Sequence, residues 1–259
     1  MRIFRAPLVA LLLALAVAGC TSGTPSPKAS SSSGGSTSVS TATTQPQDLA
    51  ADKALAEAAS LKLSDFPTGW TSTPSTSSSS DSSIDQDLAT CLHTSVPILM
   101  TNGAENPRRA DSPDFSDSNA NQASGNVTYG TDVSQIRGWF AILQGARFPT
   151  CLQQALKAVI ANQLAHPSNP SDTLPAGASI GDTTVAQLSF PTLGDQSVAY
   201  RVTVPINFNG LSVDAYIDFV AIQKGRAVAS FSFSGTSTPF SSEMAVQLST
   251  LTVGRLVNT

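Results

Sequence analysis

The chain has 259 residues, 41% of them hydrophobic and only 12% charged, with a formal net charge of −4 and a pI near 5.0. Its 14 basic residues against 18 acidic ones exclude the basic face that displaces phosphate counterions, so nucleic acid is not a partner. Three cysteines and two histidines leave little material for a His/Cys metal centre, and no apolar run reaches the length of a membrane-spanning helix.

Arg2 and Arg5 open the chain, and an apolar run follows from Ala6 to Ala18. That run is too short to span a bilayer and has the length of a signal-peptide core. It ends Leu15-Ala16-Val17-Ala18-Gly19-Cys20, which resembles the bacterial lipobox. The resemblance implies cleavage before Cys20, which becomes the first mature residue and carries a diacylglycerol on its thiol and a further acyl chain such as palmitate. Two or three acyl chains anchor stably, because each buried methylene contributes about 0.8 kcal/mol. Loss of Arg2 and Arg5 with the leader takes the net charge from −4 to −6, so no polybasic patch assists the anchor.

Of the 26 residues from Thr21 to Pro46, 21 are Ser, Thr, Gly or Pro. Such a segment cannot bury enough apolar surface to offset chain entropy. It is expected to be a flexible tether with a root-mean-square reach of about 28 Å. The expected organisation is a leader at 1–19, lipidated Cys20 with its tether at 20–46, and one folded domain at 47–259.

With Cys20 acylated, Cys91 and Cys151 remain, an even pair in an oxidising compartment. They are expected to form a disulfide closing a loop of about 60 residues. No CxxC spacing points to a redox pair.

Within the domain, Asp48 to Ala59 is Ala-rich with apolar residues recurring on one side, a short helix. Pro67 and Gly69 break the chain between Phe66 and Trp70, and Ser77–Ser80 is expected to be a loop. Ile84, Leu88, Cys91 and Leu92 have helical spacing, limited by Pro97. Asn102 to Asp114 reads as a polar loop interrupted by Pro107 and Pro113. Val127 and Tyr129 share one side of a strand. Two helical sets follow, Val133 to Leu143 and Phe148 to Leu164, the second stopping before His166-Pro167. Cys91 and Cys151 sit on apolar helical faces, so their bridge ties two helices together.

Period two then takes over. A strand is expected from Thr183 to Phe190. Val198, Tyr200, Val202, Val204, Ile206 and Phe208 alternate without interruption against Ala199, Arg201, Thr203, Pro205 and Asn207. Asn209-Gly210 is the strongest short hairpin signal, because both residues accept positive φ. Leu211 to Gln223 returns, Lys224-Gly225 turns, and Ala227 to Ser234 alternates again. Pro205 argues for an edge strand or a bulge. Thr238-Pro239 suits a cap and first turn for a final helix through Phe240, Met244, Leu248, Leu251 and Leu256. The fold class is α+β, a four-stranded antiparallel meander packed with helices and closed by a C-terminal helix.

Leu63-Ser64-Asp65-Phe66-Pro67-Thr68-Gly69-Trp70 resembles the entry motif of many actinobacterial envelope lipoproteins. There, a helix pair bearing a Cys, a Gly-Asp turn, a meander and a C-terminal helix follow. The corresponding positions are Cys151, Gly194-Asp195, Tyr200 to Phe233 and Phe240 to Leu256. Such domains are similar to PsbP-like folds and to the extracellular sensor domains of mycobacterial serine/threonine kinases. Those sensors carry two disulfides, whereas this chain has cysteines for one. The resemblance implies no catalytic residue and no cofactor.

No catalytic or metal-binding constellation stands out either. There is no nucleophile elbow, P-loop or dinucleotide-binding glycine pattern. His93 and His166 lie on different segments. Asp214 and Asp218 share a strand face but stand about 13 Å apart, beyond the reach of a carboxylate pair acting on one bond. Arg201, on the neighbouring strand, is placed to pair with one of them. Arg108-Arg109 reads as a solvated pair. Trp139, Arg201 and Tyr216 are the candidate ligand contacts, in a cleft between sheet and helices. The expected function is non-catalytic binding of an envelope ligand or partner by a protein held on the outer face of the cell membrane. A lipid carrier with a large apolar cavity and an envelope hydrolase without a recognisable motif remain open alternatives.

Overall fold

In the computed structural model, residues 48–75, 82–95, 106–165, 174 and 177–257 are described. The leader at 1–19, Cys20, the tether at 21–46, the first domain residue 47, Ser77–Ser80, Pro97 and His166 lie outside them.

Unbroken alternation builds the centre of the molecule. Strand β7 (Gln196–Phe208) and strand β8 (Leu211–Lys224) pair along their length, joined through Asn209 and Gly210 at φ 50° and 79°. Gly225 turns the chain into β9 (Ala227–Thr236), and β6 (Thr184–Gln187) flanks β7. The expected four-stranded meander is therefore present. It is part of a larger antiparallel sheet, nine-stranded among the described residues. Beyond β9 lies β4 (Gln122–Tyr129), then β3 (Asp114–Ser116) and β1 (Thr71–Thr73). Strand β2 (Arg109–Asp111) also pairs with β4, and β5 (Ala178–Ile180) pairs with β7.

Two short strands correct the reading of Asn102 to Asp114 as loop. Three residues are too few to show a period, and their pairing comes from β4, not from their own sequence. Ser112 holds the break between β2 and β3, where its N–H donates to Gly125 O and its hydroxyl accepts from Gly125 N.

Pro205 sits at a break in the outer ladder. Gly181 N donates to Pro205 O at 2.7 Å, so the carbonyl of Pro205 points outward, between β5 and β6. In a strand the nitrogen of the same residue points the same way, so its missing N–H costs the β7–β8 ladder nothing.

Among the described residues, five α-helices cover both faces of the sheet. Helix α1 (Leu49–Ala59) starts at Asp48, whose carboxylate accepts from Ala50 N at 2.9 Å. With α5 (Ser242–Arg255) it packs on the face carrying Val127, Tyr129, Ala229, Phe231 and Phe233. Phe66, Trp70, Phe115, Phe233 and Phe240 form a chain of ring contacts there, with centroids 4.4–5.9 Å apart. Helices α2 (Ser82–Leu92), α3 (Val133–Leu143) and α4 (Phe148–Ala165) pack on the opposite face, against Val198, Tyr200, Val202, Val204 and Ala221. The product is a helix–sheet–helix sandwich of the α+β class.

The start of α5 also differs from expectation. Ser241, not Thr238, is the cap, and its hydroxyl accepts from Met244 N at 3.2 Å. Phe240 is buried against Phe233, so the chain must first deliver that ring to the core. Thr238 and Pro239 remain in the exposed connection.

Cys91 and Cys151 form a disulfide with Cα atoms 5.5 Å apart, joining α2 to α4. Arg147 Nη2 donates to Cys91 O at 2.8 Å, fastening the same end of α2.

Candidate functional site

The long β7–β8 hairpin sets out a row of polar side chains on the α1/α5 face. Register puts Arg201 opposite Asp218, Thr203 opposite Tyr216, and Pro205 opposite Asp214. Alternation then sends all six side chains to one face. Arg201 Nε and Nη2 donate to the two oxygens of Asp218, both at 2.7 Å. This is the bidentate geometry that makes guanidinium–carboxylate pairs strong. Asp218 is buried beside the aromatic core, and Arg201 is half-buried. The same guanidinium lies 5.8 Å from the ring centroid of Tyr216. The Tyr216 hydroxyl donates to Asp214 Oδ2 at 3.1 Å.

The protonation behaviour follows from these contacts. The hydrogen bond to Asp218 holds the Arg201 guanidinium above its ordinary value, against the opposing effect of burial. Desolvation, then the hydrogen bond to Asp214 and its charge, push the Tyr216 hydroxyl above the usual phenol value. The two carboxylates are therefore separately engaged. Asp218 has both oxygens on a guanidinium and Asp214 holds a phenol, an arrangement suited to positioning and hydrogen bonding rather than to shared acid–base work.

Trp139 does not join this group. It lies on α3 and packs with Phe140, Val198, Tyr200 and Ala221 on the other face of the sheet, 9% exposed. The sheet separates it from Arg201 and Tyr216, so the three expected contacts do not share one cleft. The reason is the parity of β7, since Tyr200 and Arg201 are neighbours in sequence and point to opposite faces.

His93 ends α2 at φ 54°, with Nε2 3.4 Å from Arg147 Nη2. Its neighbour is a guanidinium, not a serine or carboxylate. Among the described residues no group of three His, Cys, Asp or Glu is placed to hold a metal ion.

Two ionic centres were not legible as sites. Asp52 is 4% exposed and accepts from Arg108 Nε at 3.0 Å and from Arg226 Nη2 at 2.9 Å. Arg108 is thus a half-buried ion-pair partner, which corrects its reading as a solvated charge. Asp52, Ala56 and Ala59 lie at helical spacing on the buried face of α1, and a lone carboxylate on such a face was the available signal. The second centre joins Asp65 of the entry motif to Arg255 at the end of α5. No protein-family model matches the chain, and no curated protein sequence matches it.

Proposed function

We propose that the chain is a lipid-anchored protein of the outer face of the cell membrane, and that its α+β domain binds a ligand or partner without catalysing a reaction. One observation carries this reading. The disulfide consumes Cys91 and Cys151, and Cys20 is then the single remaining cysteine of the three, at the end of a small-residue lipobox-like motif. A structural cystine requires an oxidising compartment, which agrees with export. The polar row of Arg201, Asp218, Tyr216 and Asp214 presents fixed hydrogen-bonding groups on a rigid hairpin, as a binding surface requires.

The intact mass of the protein extracted from membranes tests the proposal. A chain starting at acylated Cys20, lighter by two hydrogen atoms for the cystine, is expected. An unacylated chain with two free thiols contradicts it.

A further inference from the structure

The β7–β8 hairpin runs past its neighbour in the sheet. Strand β9 ends at Thr236, opposite Ala215, so Leu211 lies about 14 Å beyond that end. On the other side β5 accompanies the hairpin, with Ala178 opposite Phe208. Leu211 is 71% exposed, more than any other large apolar residue among those described, and Val213 is 38% exposed. Register places Phe208 opposite Leu211 and Ile206 opposite Val213, so the four side chains share one side of the hairpin. From Val202 to Val213 there is no Asp, Glu, Lys, Arg or His, and none from Gly177 to Gly181 in the strand alongside. Behind the tip, Asp214 is engaged by the Tyr216 hydroxyl and Asp182 by Lys157. An exposed apolar end on a protruding element marks an interaction site.

The attachment of the chain indicates what covers it. Asp52, in the first turn of α1, is bound to Arg226 beside the β8–β9 turn, so the tether joins the domain at the end of the sheet opposite the tip. The 14 residues of β8 separate the two ends by about 44 Å. Fully extended, the 26 residues from Thr21 to Pro46 span about 90 Å. A domain held through Cys20 can therefore turn its far end onto the same bilayer.

We infer that the tip formed by Phe208, Leu211 and Val213 inserts into the interfacial layer of the lipid bilayer that holds the anchor, so that the domain meets the membrane at two points. Leu and Phe are side chains that interfacial segments bury, to a depth of about 5–10 Å. Asp214 stands three residues behind Leu211, about 10 Å, and stays on the aqueous side. Phe208 and Leu211 pair across the turn, so the backbone enters with its strand partner in place. The tip carries no Lys or Arg and the chain without its leader has a net charge of −4 − 2 = −6, so insertion is apolar and insensitive to salt. A few side chains bind weakly and reversibly, so the tip orients an anchored domain and does not replace the acyl chains. The inference rests on the reading of the chain as lipid-anchored, and adds to it which end of the domain faces the bilayer.

The acylated full chain, reconstituted by detergent removal into phosphatidylcholine vesicles with plain or brominated acyl chains, tests it. Leu211→Trp places a fluorescent reporter at the tip, and the parent supplies the background of Trp70 and Trp139, which pack against the core. The added emission is expected to be blue-shifted and quenched by the brominated chains, at low and high salt alike. Val213→Asp in the same background should abolish the quenching. Val257→Trp, at the tether end and 46% exposed in the parent residue, should stay unquenched. Quenching at 257 and not at 211 would overturn the inference by turning the other end to the membrane. A blue shift at 211 that grows with protein density, without quenching, would put a second copy on the tip and also overturn it. Protein that does not float with the vesicles overturns the anchor and this inference with it, whereas protein that floats with position 211 unquenched overturns the tip alone.

Discussion

At the scale of single residues, the strongest constraints are ionic. Asp52 stands between two guanidiniums that reach it from β2's leading edge and from the β8–β9 turn, and Arg226 Nη1 also donates to Gly130 O at 2.6 Å. One carboxylate thus ties α1 to the residues leading into β2 and β9, at the Tyr129–Ala227 end of the β4–β9 pairing. Asp52→Asn leaves two partly buried cations without their counter-ion and is expected to cost about 3–5 kcal/mol in urea denaturation. A loss within 0.5 kcal/mol, the usual range of a surface change, would contradict the role given to Asp52.

Asp65 gives a pH signature. Burial pushes its carboxyl up, but the hydrogen bond from Arg255, the N–H of Lys62 at 2.9 Å and the nearby positive charge outweigh it and hold the group below its ordinary value. A carboxyl depressed in the folded state contributes stability above the unfolded value, about pH 4, and loses it as pH falls through the folded value. Asp65→Asn should therefore be less stable than the parent at neutral pH, and the gap should shrink below about pH 4. A gap constant with pH would show that Asp65 acts by packing alone. Neither centre was legible as a pair in the sequence, because Asp52 and Arg226 are 174 positions apart and Asp65 and Arg255 are 190 apart. Only the packing of the helices and turns on the folded sheet brings them together, whereas Arg201 and Asp218 lie 17 apart across one hairpin and were readable.

At the scale of elements, legibility follows the length of the pattern. Eleven residues of strict alternation, Val198–Phe208, ending in Asn-Gly leave one pairing for β7 and β8, since a slip of one residue would turn every apolar side chain to the wrong face. Strands β1, β2, β3 and β5 have three residues each and no pattern of their own, so only the sheet defines them. The loop before β7 depends on Gly194, at φ 67°. A Cβ there would lie 2.3 Å from Gln223 O, the atom that accepts from Asp195 N at 2.7 Å. Asp195 Oδ2 in turn accepts from Gly225 N, so the loop clasps the β8–β9 turn. Gly194→Ala is expected to cost about 1–3 kcal/mol, seen as a lower urea midpoint with an unchanged slope. An unchanged midpoint would contradict the clasp.

Helix α2 depends on its disulfide. It packs on α4, contributing Leu88 to the core, and the bridge spans 60 positions. In the chain-entropy account, closing a loop of that size contributes about 4 kcal/mol. Replacing both Cys91 and Cys151 by Ala should lower stability by about 2–5 kcal/mol. Amide exchange should also rise across Ser82–Leu92 while β7 and β8 stay protected. Equal loss of protection in the meander would show that α2 is not a separable unit.

At the scale of the whole molecule, one sheet carries two unlike surfaces. The two helical layers bury its aromatic and aliphatic rows, and short of the β7–β8 tip the uncovered parts are polar. A charged row centred on Arg201 lies on one face and a row of serines beside Phe219 on the other. Composition foretold a lightly charged surface but not its division between two faces, which requires knowing which helices cover which strands. Trp139 shows the limit, since its size suited either a pocket or the core, and the packing of α3 on the sheet made it core.

Placement outside the cell membrane rests on position 20. Growth with labelled palmitate, followed by membrane fractionation of the parent and of Cys20→Ser, measures it directly. An acyl-anchored domain predicts label in the parent, none in Cys20→Ser, and release of the variant from the membrane pellet under high-salt washing. An unlabelled parent, or a Cys20→Ser chain that stays with the membranes just as firmly, would contradict the anchor.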